Sequence, residues 1–399
     1  MAQQKVLIDW PLTPYTGWGS YGIQLAQALL ASQRARPVLT SRADRSAHCN
    51  PAWLLRLDEI EAFSAELIEY TTDHPDALVE TNCNMVMEPM GNLVPPLRRR
   101  GDRQVGVAFF ERSALDQAYL QQLGRFDLVI TGSRWNQQLL ESNGFERSVM
   151  IHQGVDACHF HSIAVPRLIR RPLVIFAGGK LEARKGQDLV IEAFRRLLRT
   201  IPDAMLIACW GNLGEVGLGT IGQCASVQGT PDRGDAEGVY AWLVEQGIPS
   251  RNLLVPAITA NAQLPDLIKQ ADVAVFASRC EGGTNLMAME TLACGIPTVL
   301  SANTGHLDLL ELGLEHAIAV GSTGLGRVPA AITRGYGGDA GGLWGETDPE
   351  ELVAVLLELH CNQGIWHERG QAGAAQMERF SWRRSMQELL DNLNDCGLL

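Results

Sequence analysis

Residues 278–297 read Ser278-Arg279-Cys280-Glu281-Gly282-Gly283-Thr284-Asn285-Leu286-Met287-Ala288-Met289-Glu290-Thr291-Leu292-Ala293-Cys294-Gly295-Ile296-Pro297. Just before them, Ala271 to Ala277 is a short apolar run of the kind that forms a buried parallel strand. Just after, Pro297-Thr298-Val299-Leu300 begins another. Leu286 to Ala293 is an unbroken series of good helix formers, and Gly295 stands where a helix would be capped. Glu281 to Asn285 is therefore expected as a glycine-containing turn from strand to helix. Such a turn aims backbone N–H groups and the positive end of the helix dipole at an anion. Two carboxylates flank it, Glu281 on the turn and Glu290 on the helix. An anion cradle with acids beside it suits a ligand both anionic and rich in hydroxyls, as a nucleotide sugar is. An ordinary α/β turn with both acids solvated fits the turn taken alone equally well.

The order of residues adds weight to the first reading. Ser-Arg-x-Glu-Gly followed by Glu-x-Leu-Ala-Cys-Gly-Ile-Pro-Thr-Val resembles the donor-site signature of retaining family-4 glycosyltransferases, the glycosyl transferases group 1. That resemblance implies an α/β chain of the GT-B fold, with two Rossmann-like, doubly wound parallel-sheet domains facing one another across a cleft. The family usually has seven residues between its two acids. Here eight lie between Glu281 and Glu290, which places one extra residue in the loop Gly282-Gly283-Thr284.

Composition agrees with two domains and excludes some functions. The 399 residues are 46% hydrophobic and 20% charged, as in a globular enzyme of two ordinary domains. A formal charge of −12 is the wrong sign for a nucleic-acid binder and gives no reason for association with an anionic membrane. The nine cysteines are an odd number without a Cys-x-x-Cys pair, which favours free thiols in a reducing compartment. The first ten residues lack a charged segment followed by a long apolar core, so no signal peptide is expected. Together these predict a cytoplasmic protein.

Lys5 to Asp9 reads as a first strand, and Ile23 to Leu30 as a helix. Between them Gly17, Gly19 and Gly22 spell G-x-G-x-x-G. A dinucleotide fingerprint turns directly after its strand, however, and seven residues separate Asp9 from Gly17; no acid closes the next strand, Pro37 to Thr40, either. The same glycines resemble the family's first-domain loop, in which Gly17 and Gly19 would let the backbone approach the donor diphosphate. Residues 45–104 are less legible. Leu54 to Tyr70 reads as helical, Ala77 to Thr81 as a strand, and Pro89 to Pro96 as a break. Val105 to Glu111 is a buried strand ending in an acid, and Glu111 resembles a glutamate that some family members place beside the acceptor. A hydrogen-bonded strand-end acid is the competing reading. His152, His159, His161 and Cys158 cluster, but their spacing fits no usual metal-ligand set.

Residues 161–172 have linker composition. The expected organisation is 1–165 as an acceptor-side domain, 166–378 as a nucleotide-sugar donor domain, and 379–399 as a helix crossing back to the first. After the strand Leu173 to Ala177, Lys180 and Lys185 stand in a glycine-bounded loop where the family carries two cations gripping the diphosphate, usually an Arg and then a Lys. Arg184 adds charge there without an assignable role. Gly211 to Gly238 and Gly321 to Gly342 read as long loops. Ser301 to His306 reads as a glycine turn at the next strand end and a candidate sugar contact.

By resemblance, Lys180, Lys185 and the N–H groups at Thr284, Asn285 and Leu286, beside Gly283, would neutralise a departing diphosphate. Glu290 would accept from ribose hydroxyls and Glu281 from sugar hydroxyls. The sequence contains no Asp-x-Asp, so no metal and no cofactor are expected. The expected partners are a nucleoside-diphosphate sugar, with UDP-sugars favoured and GDP-mannose possible, and a hydroxyl on a glycan, lipid, small molecule or protein side chain. A nucleotide-sugar epimerase, a sugar phosphorylase or a non-catalytic nucleotide- or glycan-binding protein would suit the same cleft.

Overall fold

The computed structural model describes residues 3–46, 50–212, 217–322, 324–329, 332 and 342–399. Short apolar strands alternating with helices return the chain to the same end of a sheet each time, so the sheets are parallel. The first lobe comprises β1 (Gln4–Ile8), α1 (Gly17–Ser32), β2 (Ala35–Leu39), α2 (Pro51–Phe63), α3 (Ala65–Asp73), β3 (Met85–Met90), β4 (Arg103–Ala108), α4 (Gln117–Leu123), β5 (Leu128–Thr131), α5 (Arg134–Ser142) and β6 (Ser148–Met150). Its strands lie in the order β2-β1-β3-β4-β5-β6, all parallel.

The second lobe repeats the plan. It runs through β7 (Val174–Gly179), α6 (Gln187–Leu197), β8 (Met205–Trp210), α7 (Ala236–Glu245), β9 (Leu253–Leu254), α8 (Leu264–Ile268), β10 (Val273–Phe276), α9 (Leu286–Ala293), β11 (Thr298–Ser301), α10 (His306–Leu310) and β12 (Ala317–Val320). The order is β9-β8-β7-β10-β11-β12, again parallel. The strand order reverses between β7 and β10, which pair through Ile175 with Val273 and Phe176 with Ala274. At such a switch point the loops leaving two adjacent strands diverge and open a crevice. The loops that leave these two strands carry Lys185 and Glu281.

Toward the end of the chain come α11 (Pro349–Cys361), α12 (Gln363–Ala374) and α13 (Trp382–Asp395). The last packs Trp382, Met386, Leu389 and Leu393 into the first lobe's core beside Tyr21, Leu25 and Leu29 of α1. The chain leaves the first lobe and returns to it at one place. There the Val155 amide donates to the Phe380 carbonyl at 2.6 Å. A Cβ on Gly154 would lie 2.3 Å from the backbone of Trp382, so glycine is required at that crossing.

Several expectations need correction. The first helix starts at Gly17 rather than Ile23, because Thr16 caps it by accepting from the Gly19 amide at 3.0 Å; Gly17 and Gly19 form its first turn, not a loop. Ala77 to Thr81 contributes only Val79–Glu80, in a two-residue ladder with Arg99–Arg100. Pro89, read as a break, lies inside central strand β3. The Met87 carbonyl accepts from Asp9 of the β1 side, and the Met90 carbonyl from Phe109 of the β4 side. By the alternation of a strand, the Pro89 nitrogen faces β1 one step beyond its last paired residue, Met87, where no N–H is needed. The loop at 211–238 contains a 3-10 segment, Leu218–Gln223, whose Thr220 hydroxyl accepts from the Ala183 amide at 3.1 Å. Residues 213–216 of that loop and most of the loop at 321–342 lie outside the described residues. Among the described residues no helix is long and apolar enough to cross a membrane.

Candidate active site

The loop after β7 tightens into a 3-10 turn, Ala183–Lys185, and the loop after β10 leads into α9. Arg279 binds these loops together. Its guanidinium donates to both oxygens of Asp188 on α6, at 2.7 and 2.8 Å, and to the Ala183 carbonyl at 2.7 Å. That bidentate pair is nearly buried and makes Arg279 a strut of the scaffold. Asn285 caps α9 with its side chain toward the Ala288 amide and takes a left-handed φ of 65°. Among non-glycine residues, asparagine tolerates that conformation best.

Glu281 is held from every side. Its carboxylate accepts from Lys185 Nζ at 2.7 and 2.8 Å, Ser278 Oγ at 2.6 Å, Asn285 Nδ2 at 3.0 Å and Arg184 at 3.3 Å. Its backbone N–H donates to Thr304 Oγ1 at 2.9 Å, and its carbonyl accepts from the Gly305 amide at 3.1 Å. Burial opposes its charge, but Lys185 and Arg184 outweigh burial and hold its pKa down at about 2. Burial lowers the pKa of Lys185, with Glu281 working against that shift and Arg184 with it. Below lies His306, fully buried and 3.3 Å from Asn285 Nδ2, and burial brings its pKa down to about 4, so the imidazole is neutral.

Glu290, one turn into α9, is only 2% exposed. Its one side-chain hydrogen bond among the described residues comes from Asn261 Nδ2, at 2.5 Å. Burial raises its pKa to about 8, with Asn261 opposing and Asp156 adding to the rise.

The first lobe closes over this loop. A Cβ on Gly282 would lie 2.6 Å from the Phe110 nitrogen, and the Ser133 hydroxyl donates to the Gly282 carbonyl at 2.7 Å. Gly283 is buried against Phe109, and Thr284 is buried with its hydroxyl toward the Met289 sulfur. Leu286 packs at the edge of the first lobe's core, as do Trp18 and Phe109, whose ring centroids are 4.9 Å apart. Gly19 is required by its closeness to Thr13, where a Cβ would lie 2.0 Å from the carbonyl oxygen; Gly17 is exposed with open space beside it. Glu111 reaches across to Arg184 at 3.4 Å and accepts from Asn92 Nδ2 at 3.0 Å. Burial raises its pKa while Arg184 lowers it, leaving it above the ordinary value.

Glu281, Lys185, Glu111, Gly283, Thr284, Asn285 and Leu286 thus gather around one loop, and Glu290 lies on the helix that this loop enters. Lys180 does not join them by a hydrogen bond or ion pair among the described residues: it is exposed, and its carbonyl accepts from Gln187. Arg184 is the second cation in contact with Glu281. Three partners went unassigned in the sequence. Arg184 was visible as charge beside Lys185, and Ser278 lay within the signature. Asn261 sits in a segment without a motif, and only the fold brings it to Glu290.

A family model described as glycosyl transferases group 1 matches residues 164–321. A GDP-mannose-dependent alpha-(1-6)-phosphatidylinositol monomannoside mannosyltransferase of Mycolicibacterium smegmatis is 31% identical over 324 residues, which cover 75% of this chain and 76% of that enzyme. A mannosylfructose-phosphate synthase of Agrobacterium fabrum is 28% identical over 191 residues, 45% of this chain but 38% of that relative's own length. Among solved structures, sucrose-phosphate synthase from Thermosynechococcus elongatus has a TM-score of 0.63 at 14% identity, covering 99% of each chain. Anabaena HepE in complex with UDP and glucose also gives 0.63 at 14% identity, covering 98% of this chain and 100% of its own. At such identity these structures speak for the fold alone. With the fold, the signature loop and the mycobacterial relative in agreement, the chain belongs to the glycosyl transferases group 1, glycosyltransferases of the GT-B fold.

Proposed function

We propose that this chain transfers a sugar from a UDP-sugar or GDP-mannose to an acceptor hydroxyl, with retention of anomeric configuration, without a metal ion, and in the cytoplasm. The observation that carries the reading is the meeting of Lys185, Arg184 and Glu281 at the mouth of α9, with Glu111 of the other lobe 3.4 Å from Arg184. The donor classes are suggested by the mycobacterial relative, named for GDP-mannose, and by HepE, which binds UDP.

The barrier to transfer lies in parting an oxocarbenium-like sugar from a diphosphate, and fixed cations lower it by meeting the charge that develops. A carboxylate already accepting from four side chains has room for a sugar hydroxyl only when one of them turns away. Lys185 is the partner that would turn, exchanging Glu281 for the diphosphate while a sugar hydroxyl takes its place. The bond from the anomeric carbon to the phosphate oxygen breaks as the bond to the acceptor oxygen forms on the same face. The acceptor's proton passes to the departing phosphate oxygen. Glu290, once ionised, receives the ribose hydroxyls.

Incubation of the full chain with UDP-glucose, UDP-N-acetylglucosamine and GDP-mannose in EDTA tests this reading. Release of UDP or GDP is expected, even if slow with water as the acceptor, and NMR of the released sugar should show the donor's anomer first. Release abolished by EDTA would overturn metal independence. The absence of both release and binding with every donor would overturn the donor class.

A further inference from the structure

Asn261 opens a 3-10 turn, Asn261–Gln263, just before α8 and is half-buried. Its two polar ends grip different bodies. The backbone N–H donates 2.8 Å to the carbonyl of Pro14 in the first lobe, two residues before the Thr16 cap of α1. The side-chain amide donates 2.5 Å to Glu290 Oε1 in the second. Glu290 needs this donor more than an exposed acid would. Among the described residues the titratable groups that bear on it are Asp156, of like sign, and the thiols of Cys209 and Cys294, whose own pKa values burial raises to about 12. A buried carboxylate with no donor suffers from desolvation and from freedom to rotate, and one well-aimed N–H answers both.

We propose that Asn261 is a positioning residue that ties the Glu290 carboxylate to the closed arrangement of the lobes. The bond to Pro14 sets the turn, the turn aims the amide, and the amide holds the carboxylate toward the ribose of a bound nucleotide. Parting the lobes breaks the first bond and loosens the other. The inference rests on the nucleotide-sugar reading and assigns a residue that the reading does not use.

Calorimetric titration of UDP and GDP into the full chain tests it, with wild type, Asn261→Ala and Asn261→Asp compared between about pH 6 and 9. The Asp variant keeps the side chain's size should alanine loosen the turn, and melting curves show whether each variant is folded. Wild type should bind at least one nucleotide, more tightly as pH rises and Glu290 ionises. Both variants should bind about tenfold more weakly at neutral pH. In both, the rise in affinity should move to higher pH, because the lost donor favoured the charged carboxylate. An equal loss at every pH marks an ordinary structural bond and overturns the tie to Glu290. Unchanged binding in both variants overturns the positioning role and leaves the donor site standing. Wild type that binds neither nucleotide overturns the donor reading and this inference with it.

Discussion

The loop that enters α9 and the body of α9 each bury a glutamate, and the two live under opposite electrostatics. Glu281 is 4% exposed and Glu290 2%, so both lose nearly the same hydration. Its own loop supplies Glu281 with the Ser278 hydroxyl and the Asn285 amide, the turn after β7 adds the Lys185 ammonium and the Arg184 guanidinium, and its pKa falls to about 2. The helix supplies Glu290 with one amide, and its pKa rises to about 8. Burial sets the penalty, and the partners decide the sign. At neutral pH the loop is a charged, assembled unit. A pKa of about 8 favours the protonated form of Glu290 there, so a nucleotide that binds through its carboxylate, as proposed, should release protons near pH 7.

Removing Lys185 breaks the comparison most directly. Lys185→Ala leaves a buried carboxylate with one cation fewer and should destabilise the chain by about 3 kcal/mol in urea denaturation. Adding Glu281→Gln to that variant should recover most of the loss, because the orphaned charge is then gone. The pH dependence has a definite sign. The folded-state pKa of Glu281 is depressed, so its contribution is fully present above the ordinary carboxylate value of 4.5 and is lost as pH falls toward about 2. A single variant as stable as wild type would mean that Arg184, Ser278 and Asn285 hold Glu281 without Lys185.

Glu290→Gln acts in the other direction. Between the ordinary 4.5 and about 8 the native state holds a proton that the unfolded chain has released, so stability falls as pH rises through that window. Glutamine removes the penalty, so the variant should be more stable than wild type at pH 8 by on the order of 2 kcal/mol. Its curve of stability against pH should be flatter across the window. A variant less stable than wild type at every pH would show that Glu290 stays ionised in the folded protein.

The contrast also explains how much of the site the sequence makes legible. The second lobe's site is legible because most of its chemistry lies on two loops that follow strand ends and on the helix that one of them enters. Glu281, Asn285, Glu290 and Lys185 could be placed from spacing and resemblance alone. The first lobe was harder for reasons that lie in three dimensions. Pro89 looked like a break because sequence does not reveal that β1 pairs β3 only as far as Met87. Ser64 interrupts what read as one helix, its hydroxyl accepting from the Leu39 amide at 3.1 Å while donating to the Ile60 carbonyl at 2.8 Å. Asn261 gave no signal, since its partners lie 29 residues ahead and on the other lobe.

Gly282→Ala tests whether the loop's seat against the first lobe matters to its charges. A Cβ there would sit 2.6 Å from the Phe110 nitrogen and 2.8 Å from the Phe110 and Phe109 carbonyl groups, all backbone atoms that cannot rotate aside. The lobes should part slightly, raising the radius of gyration seen by small-angle scattering, at a cost of about 1 kcal/mol. The Glu281 ion pairs with Lys185 lie within the second lobe and should survive, so the low-pH stability profile should keep its shape. A changed profile would show that closure of the first lobe, rather than Lys185, sets the state of Glu281.

The smallest expected effect separates the two lysines of one loop. Lys180 is exposed and without an ion pair among the described residues, so Lys180→Ala should alter stability by less than about 0.5 kcal/mol. It stands five positions before Lys185, one residue past the end of β7, on the loop that leads into the same turn. If it closes on a diphosphate, the contact is solvated, and UDP or GDP affinity should fall about threefold to tenfold at low salt, with the gap narrowing as salt is raised. Lys185→Ala should lose affinity at both salt levels, since a buried charge is screened little. Unchanged affinity in Lys180→Ala at low salt would take that lysine out of the grip. Arg184, which already touches Glu281, would then be left to pair with Lys185 on the diphosphate.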